Sequence, residues 1–335
     1  MRRRDILKIL SAGSLLFPFQ GQSMPIENSN FNKGKKRRGS FAIDGNRVRF
    51  YHPEIKKDFN FLMMADTHLF KDDARGEPYK QYSGRMAKAY NVTKHFQTGA
   101  PTNPEESFVK ALAIAGEQQA SMLALIGDIF SFPSEAAVDW VQDKLKSAGL
   151  PYIYTAGNHD WHYEGTDGSS WELRQTWIEK RLTSMYAGNN PMMHEQELNG
   201  LSMITIDNSN YQILPEQLEF FQSKIKSGKP TLLMLHIPLY APGRSMGFGC
   251  GNPEWGAASD KNYELERRQR WPETGHTKTT FDFHKAVFKS QNLVGILAGH
   301  THKASLDVVN GIPQIVTEPN LMGGYLNVEV IAGKG

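Results

Sequence analysis

Five short polar blocks stand in order along the chain: Asp66-Thr67-His68, Gly127-Asp128, Gly157-Asn158-His159-Asp160, His236, and Gly299-His300-Thr301-His302. Carboxylate, carboxamide and imidazole groups suit Mn, Fe, Zn and similar cations, and no block contains a cysteine to favour a softer ion. On an extended backbone, residues two apart point to the same side, so Asp66 with His68, and His300 with His302, each read as a pair that could grip an ion. A site for two ions about 3.5–4 Å apart needs a bridging carboxylate, separate terminal ligands and an open edge for water and substrate. Asp128 is the natural bridge. Asn158 adds a neutral oxygen, which keeps the negative charge low enough for an anion to approach, and His159 adds a proton donor beside the ions.

Singly, each block has an ordinary reading. Gly-Asp is a common turn, Asn158 could sit in a left-handed turn, His236 could be a strand-end core histidine, and His-x-His occurs on plain strands. Position is what joins them. The runs Phe59 to Ala65, Met122 to Ile126, Tyr152 to Ala156, Thr231 to Leu235 and Val294 to Ala298 are apolar and strand-like, and each ends at a block. Open α/β sheets carry their functional residues beyond the carboxyl ends of such strands.

Helical patterns separate the strands. Asn103 caps a helix with Pro104 at its first position and Glu105 and Glu106 in its first turn, running to about Gln119. Ser134 to Ala148 carries the apolar stripe Ala137, Trp140, Val141 and Leu145. Further helices are expected over Trp171 to Tyr186, Pro215 to Lys226 and Thr280 to Ser290. Arg47 to Tyr51, Leu201 to Ile206, Ser305 to Val309, Pro313 to Thr317 and Tyr325 to Ile331 read as strands. This alternation implies an α/β fold with helical crossovers. Lys71 to Thr102 reads as an inserted loop or small helix, and residues 241–277 as a long loop of the kind that walls or covers an active site.

With 335 residues, 39% hydrophobic and 22% charged, the chain fits one large catalytic domain, expected over residues 46–335. Residues 1–38 hold nine Lys/Arg against two Asp/Glu, leaving a mildly acidic body without the basic face that nucleic acid requires, so no nucleic-acid partner is expected. The opening Arg2-Arg3-Arg4-Asp5-Ile6-Leu7-Lys8 resembles a twin-arginine export signal; a short apolar run, Ile9 to Phe19, follows it. That run is too short to span a bilayer. Residues 1–23 therefore read as a leader, which implies the twin-arginine machinery as a partner and an exported, periplasmic or extracellular location in a bacterium. A disordered basic terminus of a cytoplasmic protein is the alternative. Residues 24–45 read as a polar linker. Cys250, the lone cysteine, rules out an internal disulfide.

The motifs Asp-x-His, Gly-Asp, Gly-Asn-His-Asp, His and Gly-His-x-His, in this order over roughly residues 59–310, resemble the calcineurin-like metallophosphoesterases. The resemblance implies a four-layer fold, two mixed β-sheets packed as a sandwich and flanked by helices. It implies two divalent or mixed-valence transition metal ions, the first held by Asp66, His68, Asp128 and His302, the second by Asp128, Asn158, His236 and His300. A hydroxide bridging the metals would attack phosphorus. His159 would protonate the leaving alkoxide or steady the transition state, and Asp160 would orient His159 and raise its basicity. Purple acid phosphatases have a metal-binding tyrosine three residues after the bridging aspartate, where this chain has Ser131, and a glycine where His68 stands, so the purple subgroup is not expected.

The reading is a metal-dependent phosphoric ester hydrolase of small molecules, acting on monoesters. A phosphodiesterase or nucleotide pyrophosphohydrolase is the alternative within the enzyme class, and a noncatalytic phospho-ligand binding protein the alternative outside it. Trp161, His162, Tyr163, Tyr240 and Arg244 lie near blocks in sequence and are candidates for substrate contact or plain packing.

Overall fold

The computed structural model of the chain describes residues 39–92, 94–256, 258 and 275–333; the leader and most of the linker lie outside them. In chain order the strands and helices are β1 (Ser40–Asp44), β2 (Arg47–His52), β3 (Phe59–Met64), α1 (Lys80–Ala89), α2 (Pro104–Glu117), β4 (Leu123–Ile126), α3 (Glu135–Ala148), β5 (Tyr152–Thr155), α4 (Ser170–Trp177), β6 (Met193–Leu198), β7 (Leu201–Ile206), α5 (Pro215–Lys226), β8 (Thr231–Met234), α6 (Lys278–Lys289), β9 (Leu293–Ala298), β10 (Ser305–Val309), β11 (Ile312–Val316) and β12 (Leu326–Ala332).

The strands make two six-stranded sheets, ordered β1-β2-β12-β3-β4-β5 and β10-β11-β9-β8-β7-β6. Both are mixed. β3, β4 and β5 run parallel, as do β7, β8, β9 and β11, while the outer hairpins and the β12–β3 pair are antiparallel. Strand alternation builds the layers. Phe61, Met63, Ala124, Ile126, Met203, Leu232, Met234 and Leu297 meet between the sheets. Leu62, Met64, Leu123 and Leu125 face the other way, onto Phe108, Ala111, Val141 and Leu145 of α2 and α3. Across the second sheet, Ile204, Leu233 and Ile296 pack on Phe221 of α5 and Phe283 and Val287 of α6. Strands buried on both faces read as continuous apolar runs, which is why the five runs before the blocks lacked alternation.

The helix boundaries follow local chemistry. The Asn103 side chain accepts the Glu106 N–H at 2.9 Å with Pro104 next in line, and Ser134 caps α3, which ends at Gly149 with φ 66°. Three expectations need correction. Ser40–Asp44, assigned to the linker, is a strand paired with β2 through a turn at Gly45, so the folded body begins before residue 46. The helix expected over Trp171 to Tyr186 is α4 followed by a π-turn, Ile178–Leu182, and a 3₁₀ turn, Thr183–Tyr186. β6 had no place in the reading because its Met-His-Glu-Gln-Glu-Leu sequence is polar. Its signal was the Asn199-Gly200 turn, where both residues have positive φ, as a two-residue hairpin requires. No helix among the described residues is long and apolar enough to cross a membrane.

Candidate metal centre

The carboxyl ends of β3, β4, β5, β8 and β9 deliver the five blocks to one edge of the sandwich, three from the first sheet and two from the second. The backbone there is not extended. Asp66, His68, Asp128, His300 and His302 all have positive φ, between 49° and 74°, so the expectation that extended geometry aligns each pair is overturned. Non-glycine residues held in this region cost on the order of 1–3 kcal/mol each and persist only where their surroundings enforce them. Here the N–H of His300 bonds both Asp66 carboxylate oxygens, at 3.0 and 2.9 Å. The N–H of Asp66 reaches Gly127 O at 3.0 Å, and that of His68 reaches Asp128 O at 2.9 Å.

Close approach accounts for the glycines. A Cβ at Gly127, itself at φ 78°, would collide with the His236 ring, and one at Gly157 with the Asp128 carboxylate.

Two groups of side chains result. In the first, Asp66, His68 and His302 offer ligand atoms; in the second, Asp128, His236 and His300 do. His68 Nε2 and His302 Nε2 lie 2.8 Å apart, and they stand 4.0 and 3.4 Å from Asp66 Oδ1. Asp128 Oδ2 sits between the groups, 3.7 Å from His68 Nε2 and 3.1 Å from His236 Nε2. Asn158 Oδ1 is 3.1 Å from His300 Nδ1, which brings it to the second group. The seven candidate ligands thus converge, and His300 and His302 go to different groups. His159 joins a third grouping with His68 and Asp128, so its ring borders the first group.

These groups fit a cation. Two imidazole nitrogens aimed at each other across 2.8 Å share no intrinsic attraction when both carry lone pairs; a positive charge between them resolves the contact. His236 Nε2 is buried and, despite its distance to Asp128, lacks hydrogen-bonding geometry. Its other nitrogen, Nδ1, meets Ile126 O at 3.0 Å, which aims Nε2 inward. Burial opposes charge on His236, yet the Asp128 and Asp66 carboxylates lift it to about 10. Burial likewise works to raise Asp128, but His236, His159 and His68 hold it well below the usual carboxylate range. Burial pushes His68 well below its usual value. With two buried carboxylates facing its imidazole nitrogens, the site favours positive charge.

Asp160 departs from its expected part. One of its carboxylate oxygens accepts the N–H of Asp128 at 2.9 Å and of Gly157 at 2.7 Å, and the other accepts Phe130 N–H at 2.8 Å. It holds the loop carrying Asp128, not the His159 ring. Burial and the neighbouring Asp128 raise it to about 7.

Four contributors were missed. Tyr90 stacks on His68, and Tyr211, beyond β7, meets His300 Nε2 at 2.5 Å. Asn320 Oδ1 accepts the Thr67 hydroxyl at 3.0 Å, and its backbone N–H binds Ala65 O, bracing the first block. Ser131 donates its hydroxyl to His68 O at 2.8 Å; the position of the purple-phosphatase tyrosine is thus a backbone brace. The strand end after β7 was the one usable signal, since Asp207 to Gln212 is as polar as the five blocks.

The candidates for substrate contact divide from the site. Trp161 is buried, with Nε1 donating to Ser209 Oγ; Tyr163 stacks on Tyr79; Arg244 pairs with Asp307. His162 binds Asn158 O through Nδ1, which makes it a support for a candidate ligand.

The described ends of the 241–277 loop are packed. Trp255 lies against Tyr211 and His276, and His276 Nε2 accepts Gly251 N–H at 3.0 Å. Burial lowers His276 to about 3 from the ordinary value near 6.5. Unfolding therefore takes up a proton below about pH 6.5, so the stability due to neutral His276 is present above that pH and lost as pH falls toward 3. His276→Gln, which keeps an acceptor, is expected to flatten the decline of melting temperature between pH 6 and 4; an unchanged slope in calorimetry counts against it.

The calcineurin-like phosphoesterase family model matches residues 59–304. Among solved structures the chain is similar to a dimetal phosphatase from Danio rerio, at 11% identity with a TM-score of 0.50, covering 80% of this chain and 91% of that one. It is also similar to a purple acid phosphatase from yellow lupin (Lupinus luteus), at 12% identity with a TM-score of 0.47, covering 84% and 48%. Among curated proteins, a probable cyclic nucleotide phosphodiesterase of Moraxella catarrhalis (strain BBH18) is 26% identical over 106 residues, 32% of this chain and 29% of that protein. The chain thus spans under a third of the curated relative's length. With five motif-bearing strand ends inside the matched residues, the chain belongs to the calcineurin-like phosphoesterases.

Proposed function

We propose that this enzyme hydrolyses small-molecule phosphate monoesters at a two-metal centre. Asp66, His68, Asp128 and His302 hold the first ion, and Asp128, Asn158, His236 and His300 the second. The observation that carries the reading is the sharing of Asp128 between two histidine-bearing groups. Bound cations supply neutralisation of phosphoryl charge and a water acidic enough to act as nucleophile near neutral pH. Asp66 and Asp128 orient that charge, and Asn158 does so without adding another negative group against an anionic substrate. His159 delivers the proton to the leaving oxygen. The ligands are buried except on the side of His300 and His302, the latter with a side chain 35% exposed, and that side is where a substrate would enter.

The 106-residue likeness to a probable cyclic nucleotide phosphodiesterase favours diester hydrolysis as the second reading. Metal analysis with excess manganese, followed by hydrolysis of a monoester, a diester and a nucleoside diphosphate, separates the readings. The monoester is expected to give the highest kcat/KM. Preference for the diester or the diphosphate transfers the proposal to that class, and two bound metals without turnover of any ester leave a phospho-ligand binding protein. The proposal includes export of the folded, metal-loaded chain through the twin-arginine route, resting on Arg2-Arg3-Arg4 and the run after it.

A further inference from the structure

Tyr90 immediately follows α1, within the segment expected to be an insert of no assigned role. Its ring stacks on the His68 imidazole, centroids 3.8 Å apart and planes within 4°. Its hydroxyl lies 3.0 Å from His159 Nε2, and its edge meets the His302 ring at 5.9 Å. One side chain from outside the five blocks therefore touches an imidazole from three of them. Packing alone would be met by phenylalanine; the hydroxyl lies on the ring nitrogen of the group assigned to move the proton.

We propose, on the phosphoester reading above, that Tyr90 is a positioning residue: its hydroxyl sets the plane and hydrogen bond of His159 while its ring sets the plane of His68. The phenol oxygen accepts Nε2–H of His159 and so fixes the ring about that bond, and the proton passed to the leaving oxygen is the one on Nδ1. Tyr90 thereby takes the orienting part expected of Asp160, whose carboxylate is spent on backbone N–H groups.

The test has two readouts. In metal-free protein, imidazole ¹⁵N spectra of Tyr90→Phe are expected to move the His159 ring signals and leave those of His68, because phenylalanine preserves the stack; Tyr90→Leu moves both. In manganese-loaded enzyme, Tyr90→Phe is expected to lower kcat about 10-fold on glycerol phosphate, the usual size for loss of an orienting partner, and less on p-nitrophenyl phosphate, whose leaving group needs little protonation. KM and a content of two metals stay close to wild type. Added to His159→Ala, Tyr90→Phe is expected to cost nothing further, since it acts through His159. Unmoved His159 signals, or losses that multiply in the double variant, overturn the proposal. A wild-type enzyme inactive on every ester overturns the phosphoester reading instead, and the spectra still decide whether Tyr90 holds His159.

Discussion

Asp128→Asn is expected to lower hydrolysis by about 10³-fold or more and to reduce bound metal from two ions to at most one. The carboxamide keeps the shape of the side chain and can still accept the His159 N–H that Oδ1 takes at 2.8 Å, so the fold should stand. What is lost is charge at the one atom between the groups, Oδ2, which faces His68 and His236 together. Preorganised charge in a buried site is worth several kcal/mol to a developing transition state, and each 1.4 kcal/mol is about tenfold in rate. Metal content by elemental analysis, beside kcat on a monoester, checks this. Two metals retained with near-wild activity would remove Asp128 from the bridging position.

Asp160→Ala separates two accounts of that carboxylate. If Asp160 served only to orient His159, its loss would lower kcat and leave stability and metal content intact. Its hydrogen bonds instead go to Asp128, Phe130 and Gly157 N–H, all buried. Leaving a buried donor unpaired costs about 1–3 kcal/mol, so the expected loss of stability is on the order of 3 kcal/mol or more. The loop bearing Asp128 then loses its left-handed geometry, and metal affinity and turnover fall together. Denaturant melts and metal titration of the variant give the answer: wild-type stability with reduced kcat returns Asp160 to the orienting role.

Much of this centre could be read before any coordinate, for a physical reason. Strands buried on both faces must be continuous apolar runs, and a polar group at the end of such a run has to be satisfied by something. Phe59 to Ala65 and Thr231 to Leu235 announced Asp66 and His236 in this way. β6 escaped because it is an outer strand whose residues are only half-buried, so polar side chains serve there. Tyr90 escaped because helix α1 brings it to the site from a polar segment with no strand before it. The left-handed backbone escaped too: spacing tells which residues are two apart, not the φ that nearby N–H groups enforce. Asp160 was misread because its identity beside His159 suggested a partner that the turn geometry gives to the backbone.

The hydrogen bonds from His300 N–H to Asp66 join residues 234 apart in the chain and strands from opposite sheets. On the proposed ligand set, cations held by Asp66, Asp128, His236 and His302 would tie the two sheets at the same edge, beside these hydrogen bonds. Closing so long a loop through noncovalent ligands is repaid by mass action, about 2.7 kcal/mol when free metal stands at a hundredfold excess over its dissociation constant. A half-folded chain has only one half of these ligands. On the proposed ligand set, retention of both ions would report that the two sheets have come together at this edge.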